Sequence, residues 1–367
     1  MLSLTVPIWL LIVLMIGLLA LSIWIWQLQQ QIALVKSKAN QAQSSKHARM
    51  PANLKAPMRA KGKTLEASAD EARELNQTFR KFVPRQFVEH FAKHGSDTLA
   101  LGRADEDKVA ILFCDIRGFT GLSEHLSPQE LMNFLNSYFV RMNAPIHENH
   151  GFIDKFIGDA IMALFDHPDG SNKDKACDAL HAALGLRKAL DLYNQHRANS
   201  GYEPIEIGIG VHFGSVVLGT VGSDDRMDTT VVGDNVNIAQ RLESLAPTYD
   251  VDIVVSEAII DTAKAYESFD YRLIDWVKLK GRSEAVKIYE VFSHADDATK
   301  FSKHEVASLI QRGIDARITN DIALAKSLFN EACVISSHDP VVLYHCKTLA
   351  RASAQEQLDW SGATFIE

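Results

Sequence analysis

The stretch VAILFCDIRGFTGLSEHLSPQELMNFLNSYFVRMNAPIHENHGFIDKFIGDAIMALF, residues 109–165, decides the reading of this chain. Its two ends are apolar, β-rich runs, and each delivers one aspartate, Asp115 and Asp159. Between them Leu131, Phe134, Leu135, Tyr138, Phe139, Met142 and Ile146 recur at three- and four-residue steps, one face of a helix. A strand, a helix and a returning strand can bring two distant carboxylates side by side. Paired carboxylates repel unless a cation sits between them. Hard oxygen ligands favour Mg²⁺ or Mn²⁺, which bind one or two carboxylates together with substrate phosphates.

The residues beside each aspartate fit this reading. Gly118 follows Asp115 closely and lets the backbone turn, so that successive N–H groups can face an anion. Asp159 lies in FIGDA between two apolar runs, a hairpin pattern with Gly in the turn. Either aspartate alone would read as an ordinary turn residue. The longer patterns in which both are embedded make the pair informative.

Five ordered blocks, FCDIRGFTGLSE, GFIDKFIGDAIMALF, IGIGVHFGSVVLGTVGS, TTVVGDNVNIAQRLE and VKLKGRSEAVKIYEVF, run from about Lys108 to Phe292. In type, order and spacing they resemble the class III nucleotidyl cyclases, the adenylate and guanylate cyclase catalytic domain. The resemblance implies two Mg²⁺ or Mn²⁺ ions per active site, at Asp115, Ile116 and Asp159. It places Gly118, Phe119 and Thr120 at the substrate phosphates and Lys155 and Thr230 at the purine. It also assigns Asn237 to the ribose, Arg241 to the charge on the transferring phosphorus, and Lys280 to the terminal phosphates. Lys278, one strand step from Lys280, is an equally placed candidate.

Lys155 offers donors only, which suits the adenine N1 acceptor and not the guanine N1–H. Many adenylate cyclases carry Asp at the position of Thr230; a threonine hydroxyl can still accept from the adenine amino group. The Lys/Thr pair resembles a subclass found in many bacterial cyclases. Outside these motifs Lys155 would read as a solvent-facing strand end, Thr230 as a β-branched filler, and Asn237 with Arg241 as a solvated helix face. The expected activity is conversion of ATP to 3′,5′-cyclic AMP and pyrophosphate. The resemblance implies that one protomer supplies Asp115 and Asp159 and its partner supplies Lys155, Thr230, Asn237, Arg241 and Lys280, so a homodimer would hold two complete sites.

Two other readings compete. A guanylate cyclase is opposed by Lys155. A non-catalytic membrane sensor or scaffold on a cyclase fold would be expected to have lost a metal aspartate, the asparagine or the arginine, and none is lost. A diguanylate cyclase is disfavoured because no GG[DE]EF-type run occurs.

The full chain has 367 residues and net charge −8, which gives no indication of a nucleic-acid partner. Its four cysteines, Cys114, Cys177, Cys333 and Cys346, show no paired spacing and fit a reducing compartment. Residues 1–26 read as a transmembrane anchor: Leu4 to Trp26 is almost wholly apolar and long enough to span a bilayer. The lysines and arginines that follow it place the bulk of the chain in the cytoplasm, single-pass in the inner or plasma membrane. Residues 27–70 read as a basic polar linker and 71–105 as a helical coupling segment. Residues 106–296 read as the catalytic domain, and 303–352 as a tetratricopeptide-like helical pair that docks internally or receives a regulatory protein. The strand and helix patterns follow a βα(ββ)αβ order. They indicate an α/β (α+β) sandwich with helices on one sheet face, and the resemblance implies a ferredoxin-like core.

Overall fold

In the computed structural model, Val109 to Cys114 form the buried centre of strand β1 (Ala104–Ile116), with no more than 3% of any of these residues exposed. A strand apolar on both sides needs cover on both sheet faces. The structure describes residues 104–167, 169–223, 225–264, 267–279, 284–352 and 363–366, all within one compact unit, Arg80–Glu367. The expected anchor, linker and nearly all of the coupling segment lie outside the described residues, as does Lys280. Among the described residues no helix is long and apolar enough to cross a membrane.

After β1 come α1 (Phe119–Ser123), α2 (Pro128–Glu148), the hairpin β2 (Phe152–Ile157) and β3 (Ala160–Phe165), and α3 (Asn172–Asn199). Then follow β4 (Ile207–Ser223), β5 (Arg226–Val232), α4 (Asp234–Tyr249), β6 (Ile253–Ser256), α5 (Glu257–Ala263), β7 (Tyr271–Leu279) and β8 (Val286–Val291). The chain closes with α6 (Asp297–Ile318), α7 (Ile322–Ile335), α8 (Pro340–Ala352) and β9 (Thr364–Ile366). The sheet is mixed, ordered β2-β3-β1-β4-β6-β8-β7-β9, with β5 paired to β4. Helices α2 and α3 start where local chemistry lets them. Ser127 with Glu130, and Ser171 with Asp174, form capping boxes that satisfy otherwise unpaired N–H groups.

The expectation of helices on one face needs correction. The even residues of β1, Ala110, Leu112, Cys114 and Ile116, pack with Tyr138 and Met142 of α2 and Leu180 and Leu186 of α3. The odd ones, Val109, Ile111 and Phe113, pack with Ala239 of α4 on the other face. Glycines in β4 make room for α4. A Cβ on Gly210 would lie 2.2 Å from the Glu243 backbone nitrogen and 2.4 Å from the Ala239 carbonyl oxygen.

The C-terminal segment also differs from expectation. It forms three helices, the first beginning at Asp297, ahead of residue 303. They dock on the α4 side of the sheet: Val306, Ile310, Ile314, Phe329 and Val342 share one core with Leu242 and Leu245 of α4, Val254 of β6 and Ile274 of β7. Each such fully buried apolar side chain contributes about 1.5–3 kcal/mol. A polar core lies within this contact. Asp275 of β7 accepts from Arg317 of α6 at 2.7 Å, from Tyr249 of α4 at 2.6 Å and from Thr364 of β9 at 2.6 Å. Burial is offset there by His345 and Arg317, which hold the Asp275 carboxyl below its ordinary range.

Candidate active site

Antiparallel pairing places the end of β1 beside the start of β3, with Cys114 opposite Ile161. Asp115 therefore comes next to the two-residue turn Gly158–Asp159. Gly158 has φ 65, a left-handed conformation that suits the first loop position of a tight hairpin. The Ile116 backbone N–H donates to Asp115 Oδ1 at 3.0 Å and to Asp159 Oδ2 at 3.3 Å, so two aspartates 44 positions apart share one donor. Burial, a hydrogen bond to Asp115 and the Asp115 charge together push Asp159 up to about 7. Immediately after Ile116, Gly118 turns at φ 66 and Phe119 and Thr120 open α1, where first-turn N–H groups lack intrahelical partners.

A third carboxylate, Glu243 of α4, belongs to this cluster and was not expected from the sequence. Its Oε1 would lie 2.9 Å from a Cβ on Gly208, the residue opposite Asp115 in the β1–β4 register. Burial and then the charges of Asp115 and Asp159 raise it to about 7, against the opposing effect of Arg117. Its signal in the sequence was the four-residue step from Ala239, which puts it on the side of α4 that meets the glycines of β4. The two aspartates and their repulsion are what a divalent cation relieves, so the oxygen donors present fit Mg²⁺ or Mn²⁺.

The second constellation forms around β2 and β5. The Lys155 ammonium donates to the Thr230 hydroxyl at 2.7 Å. The register of β2 against β3 shifts between Ile153 and Lys155, a bulge of the kind that re-aims side chains. Through it Asp154 also meets the pair, 3.4 Å from the Lys155 ammonium and accepting from Thr230 at 3.4 Å. Burial pushes Asp154 up to about 6, although Lys155 draws it down. Asp154 is thus another polar group in this pocket that sequence reasoning missed.

Asn237 and Arg241 project from α4 opposite its buried residues Ile238, Ala239 and Leu242. Asn237 is exposed and Arg241 half-buried. The helix is set by Asn235, which donates to the Ser215 carbonyl at 2.6 Å and engages His212 at 2.9 Å. Lys278 is half-buried on β7. The aspartates occupy the β1–β3 end, while Lys155 and Thr230 form their own pocket between β2 and β5.

The catalytic domain shared by adenylate and guanylate cyclases matches residues 102–293, more than half of the chain. The chain belongs to this family. It is 46% identical over 232 residues to an adenylate cyclase of Anabaena cylindrica, covering 62% of this chain and 45% of that one. It is 34% identical over 273 residues to the terminal-differentiation specific adenylate cyclase of Dictyostelium discoideum, covering 74% of this chain and 13% of that one. The chain thus spans less than half the length of these relatives. A bacterial light-regulated adenylyl cyclase has the same fold, with TM-score 0.55, 23% identity, and coverage of 68% of this chain and 69% of that one.

Proposed function

We propose that this protein is an adenylate cyclase that converts ATP to 3′,5′-cyclic AMP and pyrophosphate at the interface of a homodimer. The observation that carries the proposal is the convergence of Asp115 and Asp159 on one backbone N–H within the family's own motifs. The names of the similar adenylate cyclases support ATP as substrate, and so does the donor-only Lys155 held against Thr230.

Each residue has a role in this reading. Lys155 donates to adenine N1, and Thr230 accepts from the adenine amino group. Backbone N–H groups at Gly118, Phe119 and Thr120 receive phosphate oxygens, with Lys280 or Lys278 at the terminal phosphates. Asn237 orients the ribose so that its 3′-hydroxyl faces the α-phosphorus in line. Arg241 pairs with charge growing on that phosphorus, because a guanidinium is planar, permanently charged and a fork donor. Asp115 and Asp159 would hold divalent ions, whose charge would lower the pKa of the attacking hydroxyl and favour departure of pyrophosphate. The hydroxyl proton passes to water or a substrate phosphate.

A dimer is favoured by the apolar residues left exposed near these groups: Phe156 and Ile157 on β2, and Val217, Val221, Met227 and Val232 on β4 and β5. The apolar residues 4–26, with the basic run behind them, support a membrane anchor and a cytoplasmic catalytic domain. Incubation of purified protein with ATP or GTP and Mn²⁺, with product identification, tests the reading. Cyclic AMP is the expected product; cyclic GMP alone, or no cyclic nucleotide, would overturn it.

A further inference from the structure

Away from Asp159, at the open end of the β2–β3 hairpin, three metal-ligating side chains converge from three elements. His150 follows α2, His167 follows β3, and Asp178 lies on α3. One ligand atom from each lies within 4.8 Å of the others. His150 Nδ1 is 3.3 Å and His167 Nδ1 is 3.4 Å from the same oxygen, Asp178 Oδ2. The two imidazole rings stack with centroids 4.4 Å apart and planes 14° from parallel.

These distances suit a shared metal as well as they suit ion pairs. Ligands at 2.0–2.1 Å around a tetrahedral ion are separated by about 3.3 Å, and both histidine–aspartate edges have that length. His167 Nδ1 and Asp178 Oδ2 are buried and make no hydrogen bond, although they lie within ion-pair distance of each other. Near-parallel rings cannot both aim an in-plane lone pair at one ion, so binding requires the exposed His150 ring to turn while His167 and Asp178 keep their places. The backbone around both histidines is fixed independently of any ion. A Cβ on Gly170 would fall 2.6 Å from the His167 ring, so that ring sits directly on a backbone that only glycine allows. His150 adopts φ 57 at the end of α2, a left-handed conformation in which glycine or asparagine is usual.

We propose that His150, His167 and Asp178 form a binding site for a borderline divalent transition metal, with Zn²⁺ as its best match. Two imidazoles and one carboxylate select such ions over Mg²⁺, which prefers oxygen alone. The site leaves a fourth position open on its His150 side, where the side chain is 60% exposed. A bound ion staples the α2–β2 loop to the end of β3 and to α3. Roughly 20 Å of strand, six residues of β3 at about 3.3 Å each, separate it from Asp159.

The test is a Zn²⁺ titration of the full chain stripped with chelator, read by competition with a chromogenic chelator. Millimolar Mg²⁺ occupies the oxygen-only aspartate pair throughout. Wild type should bind one Zn²⁺ per chain more tightly than about 10 µM. His150→Asn keeps a residue tolerant of the left-handed backbone, and His167→Gln keeps a polar side chain. Each should weaken binding more than about 100-fold, beyond the 10- to 100-fold expected for a merely supporting group. Zn²⁺ should raise the melting temperature of wild type and leave that of the double variant unchanged, and circular dichroism without metal verifies that the variant folds. Absence of tight Zn²⁺ binding by wild type, or wild-type binding by the folded double variant, overturns the proposal.

Discussion

The Lys155 ammonium donates to the Thr230 hydroxyl at 2.7 Å, across 75 residues of sequence. Strand β2 supplies one group and β5 the other, although these strands are not neighbours in the sheet. In the proposed site this contact makes the two purine-reading positions a single unit. Because Thr230 can turn its hydroxyl either way, discrimination between adenine and guanine rests mainly on Lys155. Leaving one polar group unpaired costs roughly 1–3 kcal/mol, so Lys155 should favour ATP about ten- to a hundredfold. Lys155→Glu is expected to erode that preference. The measurement is the ratio of kcat/KM on ATP and GTP in both proteins. An unchanged ratio would remove Lys155 from the purine pocket.

The Asp115–Asp159 pair predicts a pH dependence with a definite sign. Asp159 is raised to about 7 by burial and by Asp115, so its carboxyl is largely protonated below that pH and binds a cation poorly. Turnover should fall as pH drops through about 7, and saturating Mn²⁺ should move the fall to lower pH. Stability of the metal-free protein runs the other way. A carboxyl whose folded pKa exceeds its unfolded value contributes stability below the unfolded pKa, and loses it as pH rises through the folded one. Asp159→Asn should therefore abolish turnover yet stabilise the metal-free protein at pH 8. Normal turnover, or a less stable protein at that pH, would contradict this account.

Asp115 and Asp159 were legible as a pair because two apolar runs with turn glycines deliver them, whereas Asn237 and Arg241 stood out only through the resemblance of their block to the family. The extra groups were not legible, because each depends on long-range register. Glu243 joins the aspartates only once β4 presents glycine beneath α4. Asp154 joins Lys155 only through a bulge that strict alternation would not produce. A run apolar on both faces, Val109–Cys114, did contain the signal for a sheet covered on both sides. The docked helices α6–α8 were read as a pair because Asp297–Ile318 has a weaker apolar stripe than α7, its face being completed by the buried Arg317.

Arg317 donates to Asp275 at 2.7 Å with neither side chain more than 1% exposed. Removing one partner of such a pair leaves an uncompensated buried charge. Arg317→Ala should cost about 3–5 kcal/mol of stability. Replacing both, as Arg317→Met with Asp275→Leu, should recover part of that loss. Chemical denaturation of the three proteins checks this, and a loss below about 1 kcal/mol for Arg317→Ala would show that the pair carries no stability.

The proposed division of the site between protomers predicts complementation. Asp115→Asn removes a group from the aspartate half, and Arg241→Ala removes one from the α4 half. Each protein should be inactive alone. In a mixed dimer one site carries both lesions and the other carries none. Mixing under conditions that allow subunit exchange should restore up to about half of wild-type activity per heterodimer, since one of two sites is intact. Demonstrated heterodimers without activity would place both groups in one protomer's site.

Two glycines of β4 separate backbone fit from side-chain fit beneath α4. At Gly210 an added Cβ would meet the Glu243 nitrogen at 2.2 Å and the Ala239 carbonyl oxygen at 2.4 Å, both main-chain atoms of α4. At Gly208 its nearest neighbour is the end of the Glu243 side chain, at 2.9 Å. Side-chain ends can swing aside, whereas a packed helix must move as a body. Moving α4 displaces Asn237 and Arg241, which it carries on its outward face. A shift near 1 Å in groups that position a reacting phosphorus costs about 100-fold in rate. Gly210→Ala should therefore lose about 100-fold or more in kcat and lower the melting temperature, while Gly208→Ala retains most of both. The pair is read by steady-state kinetics and calorimetry on proteins prepared in parallel. Equal effects of the two substitutions would mean that the closeness of α4 to β4 does not set the position of Arg241.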